Sequence, residues 1–448
     1  MSTSGQAATL DAPKTNSAER ESVALESLIV GRELRSPIYD TFGRLLLAEG
    51  SRITSEVKRR LREHDIQEVM VHSEDLSHVT LAASLLPDDV DDTLSNKFSN
   101  DLDKLIESGG LFVRNDGEAI KERMRQHGCR GYDEVQRAEL IEKHEEVSRE
   151  LDSMMQNALH GGQVAGSKLA ATTGQYLTAM LGDAENVLTV ASEVGHDPSL
   201  SEHCLQMSLL GMAIGVEMGL DETNVRTIGI CGLVHDWGMI RVPEEIRLAE
   251  RILTSDELVA IKKHPVLALE MLQKVSGIPK EVPIVCYQLH ERPNGKGYPR
   301  ERRKDQIHPF ARILNVADAY LALTSPRPFR PALMPYAAME CLLTQSGQRQ
   351  VDGDVVRHLL HILSLFPLHS FVVLTDGSTA QVLRRDGNKY ATPIVRLIAD
   401  KDGNRLDKGN QPSVIKLGDT ELRVAQALPT PGRKQVAMSQ EILNMSSR

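Results

Sequence analysis

GICGLVHDWGM, residues 229–239, decides how this chain is read. Small and apolar residues run up to His235-Asp236, and Gly238 follows, so a buried helix delivers an imidazole and a carboxylate at its C-terminal end. Neighbours on a helix point about 100° apart and converge on one ion only where the helix ends and space opens. A carboxylate buried there alone is costly, so the stretch demands a cation or a strong hydrogen-bond network.

Working outward, other polar residues sit in apolar stripes. In HCLQMSLLGMAIGVEM (203–218), His203 shares a face with Met207, Leu210 and Ile214. In ARILNVADAYLALT (311–324), Asp318 shares one with Leu314 and Leu321. His264 stands between Lys263 and Pro265, where one helix stops and the next begins. His290 ends the apolar helix EVPIVCYQLH (281–290). From His203 through His235, His264 and His290 to Asp318 the separations are 32, 29, 26 and 28 residues. Each step is one helix plus one turn, which brings each ligand from a different helix of one bundle. Four histidines and two carboxylates make a dinuclear inventory in which Asp236 is free to bridge. Taken singly, His203 reads more readily as a satisfied core histidine, and Asp318 equally as a buried cap. The joint pattern favours a metal site. His308, His358, His361 and His369 read as ordinary residues, and His196-Asp197 as a loop dipeptide.

The whole chain reads as multidomain α+β: an all-α bundle flanked by small N-terminal and C-terminal β-rich domains. Residues 1–22 read as a disordered tail and 23–80 as a β-rich unit, with turns at Asp40–Gly43 and Glu49–Gly50, the helix SEVKRRLREHD and the strand IQEVMVH. Residues 81–134 read as an acidic, helical connector, in which LLPDDVDDTLSNKFSNDLDK (85–104) is a connector or a solvated helix face and not an acid site. Residues 135–365 are helical by period, with helices expected at 201–219, 223–236, 255–263, 265–275, 280–290, 308–323 and 335–345. From 366 to 430, Asp-Gly pairs at 376–377, 386–387 and 402–403 mark hairpins, and 431–448 reads as a polar tail.

At 448 residues about three domains are expected, and 41% hydrophobic with 25% charged residues describes a globular chain. No apolar run approaches the ~18 residues of a membrane span, and the N-terminus lacks a secretory core, so the expectation is cytoplasmic with no membrane partner. Five cysteines without a CxxC pair argue against disulfides and a thiolate zinc site. A net charge of -10 disfavours a nucleic-acid polymer but not a small anion met by a local basic patch. ERPNGKGYPRERRK (291–304) is such a patch, as are Arg327 and Arg330 in SPRPFR. Gly295 and Gly297 would let backbone N–H groups approach a phosphate. Tyr298 could stack on a base or pack against the turn.

The order H…HD…H…H…D with a following GYP resembles the HD-GYP subfamily of HD-type metal phosphohydrolases, over roughly residues 195–345. LVHDWGMIRVPEEI, LTSDELVAIKKHP, HERPNGKGYP and ARILNVADAYLALTSPRPFRPA carry the resemblance, with the helix that begins at His203. It implies a helical catalytic domain with two or three metal ions, commonly iron or manganese, that hydrolyses cyclic di-GMP to the linear dinucleotide or GMP. The chain departs from the family at Leu289 for a histidine, Met239 for the HDxGK lysine, Ser199 for a third-metal glutamate, Asn294 for an aspartate, and Leu321 for an aspartate. Two ions are therefore expected: one on His203, His235, Asp236 and Asp318, the other on Asp236, His264 and His290 and one ligand short. The mechanism implied is attack by a hydroxide activated at this dinuclear centre, with His235 and Asp236 at its heart. Substrate contacts fall to Lys296, Gly297, Tyr298, Arg327, Arg330 and Arg241, the last standing in for the missing lysine. The alternative is a degenerate module that binds nucleotide or metal and signals through its flanking domains. A homodimer through the helices at 135–195, or a signalling partner, is compatible with either reading.

Overall fold

A computed structural model describes residues 20–28, 34–80, 101–106, 108, 113–194, 199–249, 251, 253–326, 331–387, 389–406, 413–431 and 434–437. The chain divides into two units, Met1–Leu85 with Thr254–Val259, and Leu86–Leu253 with Ala260–Arg448.

The first unit carries four antiparallel strands in the order β1-β4-β2-β3: β1 (Arg20–Ala24), β2 (Ile38–Tyr39), β3 (Leu45–Leu47) and β4 (Glu68–His72). Helices α1 (Ser55–Glu63) and α2 (Ser73–Val79) accompany them. Thr54 caps α1 by accepting the Val57 N–H, and Ile38, Ile53, Val69 and Val71 form a small dry core. Strand β1 begins inside the segment read as a tail.

The second unit holds the bundle. Helix α3 (101–106) precedes the long α4 (Glu134–Leu159) and α5 (Gly166–Val194), then α6 (Leu200–Glu217) and α7 (Glu222–Val234). Short α8 (Glu244–Arg247) and α9 (Ser255–Lys262) lead to α10 (His264–Leu272), α11 (Glu281–Gln288), α12 (Pro309–Thr324), α13 (Pro335–Gly347) and α14 (Gly353–Leu363). From Thr227 to Val234 helix α7 is buried all round, because this half lies within the bundle that α5, α6, α11 and α12 form around it. Helix α5 breaks at Asp183, whose backbone is non-helical (φ -157°, ψ 88°). Ser199 accepts the Glu202 N–H and caps α6, so the position of the family's third-metal glutamate is spent on starting a helix.

Strands β8 (Phe371–Leu374), β9 (Thr379–Arg384), β10 (Ile394–Ala399), β11 (Val414–Lys416) and β12 (Val424–Leu428) form an antiparallel sheet in the order β11-β10-β9-β8-β12. The three expected Asp-Gly turns join its successive neighbours β8 to β11. Two short parallel pairs complete the unit: β5 (Val164–Ala165) with β6 (Val275–Ser276), and β7 (Ala332–Leu333) with β13 (Gln435–Val436), the latter from the segment read as a tail.

Candidate metal centre

Each imidazole arrives where a helix begins or ends. His235 is the C-cap of α7, His264 opens α10, His290 lies two residues past α11, and His203 sits in the first turns of α6. Asp318, within α12, lies between His203 and His290, at 3.7 Å from His203 Nε2 and 3.6 Å from His290 Nδ1. Asp236 is the meeting point. Its Oδ1 lies 3.4 Å from His235 Nε2, 3.1 Å from His264 Nε2 and 3.8 Å from His290 Nε2, and its Oδ2 lies 3.8 Å from His203 Nε2.

Two of the rings are fixed by the same local device. His235 Nδ1–H donates to the Gly232 carbonyl at 2.9 Å, and His264 Nδ1–H to the Ile261 carbonyl at 2.8 Å. With Nδ1 bonded to a backbone carbonyl, each ring turns its Nε2 inward, the atom that a metal ion would take in place of a proton. His264 and His290 bring their Nε2 atoms to 2.9 Å of each other. His235 Nε2 and Asp236 Oδ1 are buried and make no aligned hydrogen bond. A buried acceptor pair left this way calls for a cation. The donor sets His203–His235–Asp236 and Asp236–His264–His290 each converge tightly enough to hold one ion, and they share Asp236.

The charge balance fits. Burial opposes ionisation of Asp236, but the charges of His235 and His264, with hydrogen bonds from His264 and His290, hold its carboxyl well below the usual range. Burial draws His264 down, yet Asp236 beside it lifts it above the ordinary imidazole value. His290 stays lowered, because burial outweighs the pull of Asp236 and Asp318.

Close backbone approach sets the spacing. A Cβ on Gly238 would stand 2.0 Å from the His264 carbonyl oxygen, so only glycine lets the turn after Asp236 lie on the start of α10. A Cβ on Gly297 would stand 2.3 Å from Arg292 N and 2.5 Å from His290 O. That glycine folds the GYP loop back on itself, with Tyr298 N–H donating to His290 O at 3.1 Å. Tyr298 stacks on the His290 ring with centroids 4.9 Å apart and planes 5° from parallel.

The remaining expected residues divide. Lys296 is exposed on the loop, and its N–H donates to Asn294. Arg241 pairs with Glu270, so its guanidinium is already engaged by a carboxylate. Arg327 and Arg330, like His196-Asp197, lie outside the described residues. Leu289 is wholly buried in the bundle core, with its carbonyl accepting from Asn315. Met239 is half-buried.

Sequence reasoning passed over three contributors. Lys262 brings its ammonium 5.7 Å from the Tyr298 ring centroid. Buried Glu291 accepts the N–H groups of Arg300 and Arg302 at 2.6 and 2.8 Å, closing the loop, and burial pushes its carboxyl up to about 7 against those bonds. Asp103, in the stretch read as carrying no acid site, pairs with Arg300 and Arg302. Lys262 adjoins the HP motif and Glu291 follows His290, so adjacency was the available signal for both. Nothing local marks Asp103.

Comparison with known proteins finds related sequences. Residues 191–355 match the family model described as HD domain. The chain is 26% identical over 228 residues to a cyclic di-GMP phosphodiesterase of Borreliella burgdorferi, covering 50% of this chain and 59% of that one. It is 30% identical over 195 residues to a cyclic di-GMP phosphodiesterase of Pseudomonas aeruginosa, covering 44% of this chain and 47% of that one. The chain thus spans about half the length of these curated relatives. A solved HDG"Y"P protein of Bdellovibrio bacteriovorus aligns with 76% of this chain and 98% of its own at 16% identity and a TM-score of 0.37, too low to bear on the fold. Among the described residues no helix is long and apolar enough to cross a membrane.

Proposed function

Residues 191–355 are an HD domain, and from that premise we propose that this chain is a metal-dependent phosphodiesterase that opens cyclic di-GMP to the linear dinucleotide or GMP. The observation that carries the reading is Asp236, one carboxylate shared by two imidazole sets. His203, His235, Asp236 and Asp318 would hold one divalent ion, and Asp236, His264 and His290 a second, with iron or manganese as the metals that the family resemblance implies. Two such ions would supply Lewis acidity and neutralise the charge that grows on the phosphoryl oxygens as a 3′,5′ linkage breaks.

The side chains divide the other tasks. With their Nδ1 atoms tied to backbone carbonyls, His235 and His264 would turn Nε2 toward an ion, and Asp236 keeps its charge despite burial. Tyr298, stacked on His290, offers a hydroxyl and a ring edge at the rim, with Lys262 and Lys296 as the nearby cations for a dianionic substrate. Arg241 has the weaker claim to a substrate role, since it would first have to leave Glu270.

A second reading is a binding module without turnover. The specific observation in its favour is Leu289, sealed in the core where the family carries a histidine, with Met239 in place of the phosphate-facing lysine. Metal analysis together with a turnover assay on cyclic di-GMP in added Mn²⁺ or Fe²⁺ separates the two. The enzyme reading expects two ions and linear product, both lost in Asp236→Asn. Fewer than two ions and no product would overturn it, and nucleotide binding without product would establish the module.

A further inference from the structure

The loop at 291–302 is held from two sides. From within, Glu291 accepts the Arg300 and Arg302 N–H groups. From without, Asp103 on α3 takes the Arg300 Nε–H at 3.0 Å and pairs with an Arg302 Nη. The outer contact is well shielded: the Asp103 side chain is 18% exposed and that of Arg302 8%. Helix α3 does not rest on charge alone. Leu102 and Ile106, on the same short helix, are buried against Leu269 of α10 and Ile284 and Tyr287 of α11. These are the two helices that deliver His264 and His290. A six-residue helix from far upstream therefore covers the back of one donor set and grips the loop in front of it. It also lies outside the matched span 191–355.

We propose that Asp103 is a positioning residue for the GYP loop, a part of the candidate centre that the HD domain borrows from the segment before it. Arg300 and Arg302 follow Tyr298 directly, and the loop is joined at its other end to His290. Fixing both guanidinium groups fixes the base of the loop, and with it the ring that stacks on His290. Released from Asp103, the base would keep its Glu291 contacts but lose its outer anchor, and Tyr298 would sample positions off the imidazole. A signal that lifts α3 would then loosen the substrate rim without touching any metal donor. The effect on turnover rests on the phosphodiesterase reading; the effect on the loop does not.

Hydrogen–deuterium exchange on the full chain tests the structural half, in wild type, Asp103→Asn and Asp103→Glu. Asn keeps the shape without the charge, so the fold is retained. In Asp103→Asn the amides of Tyr298, Arg300 and Arg302 should exchange about tenfold faster, with α6 and α7 unchanged. Asp103→Glu should restore most of the protection. Unchanged exchange across 289–303, or acceleration spread evenly over the bundle, would overturn the assignment. With Mn²⁺ and cyclic di-GMP, Asp103→Asn should raise KM more than it lowers kcat, and an equal fall in kcat with KM unmoved would count against it. If wild type itself shows no turnover, the phosphodiesterase reading fails while the exchange comparison still decides the role of Asp103.

Discussion

Gly297 shows how little room the candidate centre leaves. A methyl group there would meet the backbone of Arg292, Glu291 and His290, so Gly297→Ala must open the loop and move Tyr298 off its stacking partner. Displacement of about an ångström near a reacting centre costs on the order of 10²-fold in rate, so kcat/KM in an assay on cyclic di-GMP should fall by about that factor. The melting temperature should hardly move, because the loop lies at the rim of the core. The metal donors were legible because each is a polar residue set at the end or on the stripe of an apolar helix, a placement that costs free energy unless a charge or a hydrogen-bond partner meets it. Asp103 and Arg241 were not. A single acid or base within a polar stretch carries no local mark of the partner that a distant stretch of chain provides, and Arg241, read as a substrate contact, meets Glu270.

Helix α12 depends on one buried ring. His308 caps it, Nδ1 accepting the Phe310 N–H at 3.1 Å, and burial, with Arg312 nearby, pushes its pKa down to about 4. The unfolded chain takes up that proton near pH 6.5, so between roughly pH 6.5 and 4 the unfolded state binds more protons and stability falls as acid is added, by at most about 3 kcal/mol. His308→Asn keeps a cap without the titration. Urea unfolding across that window should therefore show a shallower acid limb for the variant than for wild type, and equal slopes would refute the assignment. Element positions were otherwise readable from period: the expected 223–236 and 308–323 appear as Glu222–Val234 and Pro309–Thr324. The break in α5 was not readable, because LGDAENVL continues a helical stripe through Asp183. At the break Asp183 accepts the Asn186 N–H, as an N-cap does, and Arg384 meets its carboxylate from a strand some two hundred residues on.

Arg384 also ties the C-terminal sheet to the bundle. Its guanidinium is 2% exposed and spends its donors on Asp183, Glu185 and the Arg130 carbonyl. Removing one partner from such a buried set leaves uncompensated charge, so Arg384→Met should cost about 3–5 kcal/mol in denaturant unfolding. It should also expose β9 to proteolysis before the helices. A loss below 1 kcal/mol would mean that apolar contacts alone hold the sheet. A separate C-terminal β-rich domain was expected, yet the sheet falls in one unit with the helices, and the groups that fasten it are spread over residues 130–385, so no window of sequence contains them. The same holds for Asp103 and Arg300, 197 residues apart. Six residues of helix have too little surface to stay bound as a separate peptide at cellular concentrations. Chain connectivity raises the effective concentration of such a segment far above that of a free peptide. A single backbone cut between α3 and α4 would dissolve that advantage, leaving every metal donor in place and the grip on the loop diluted away.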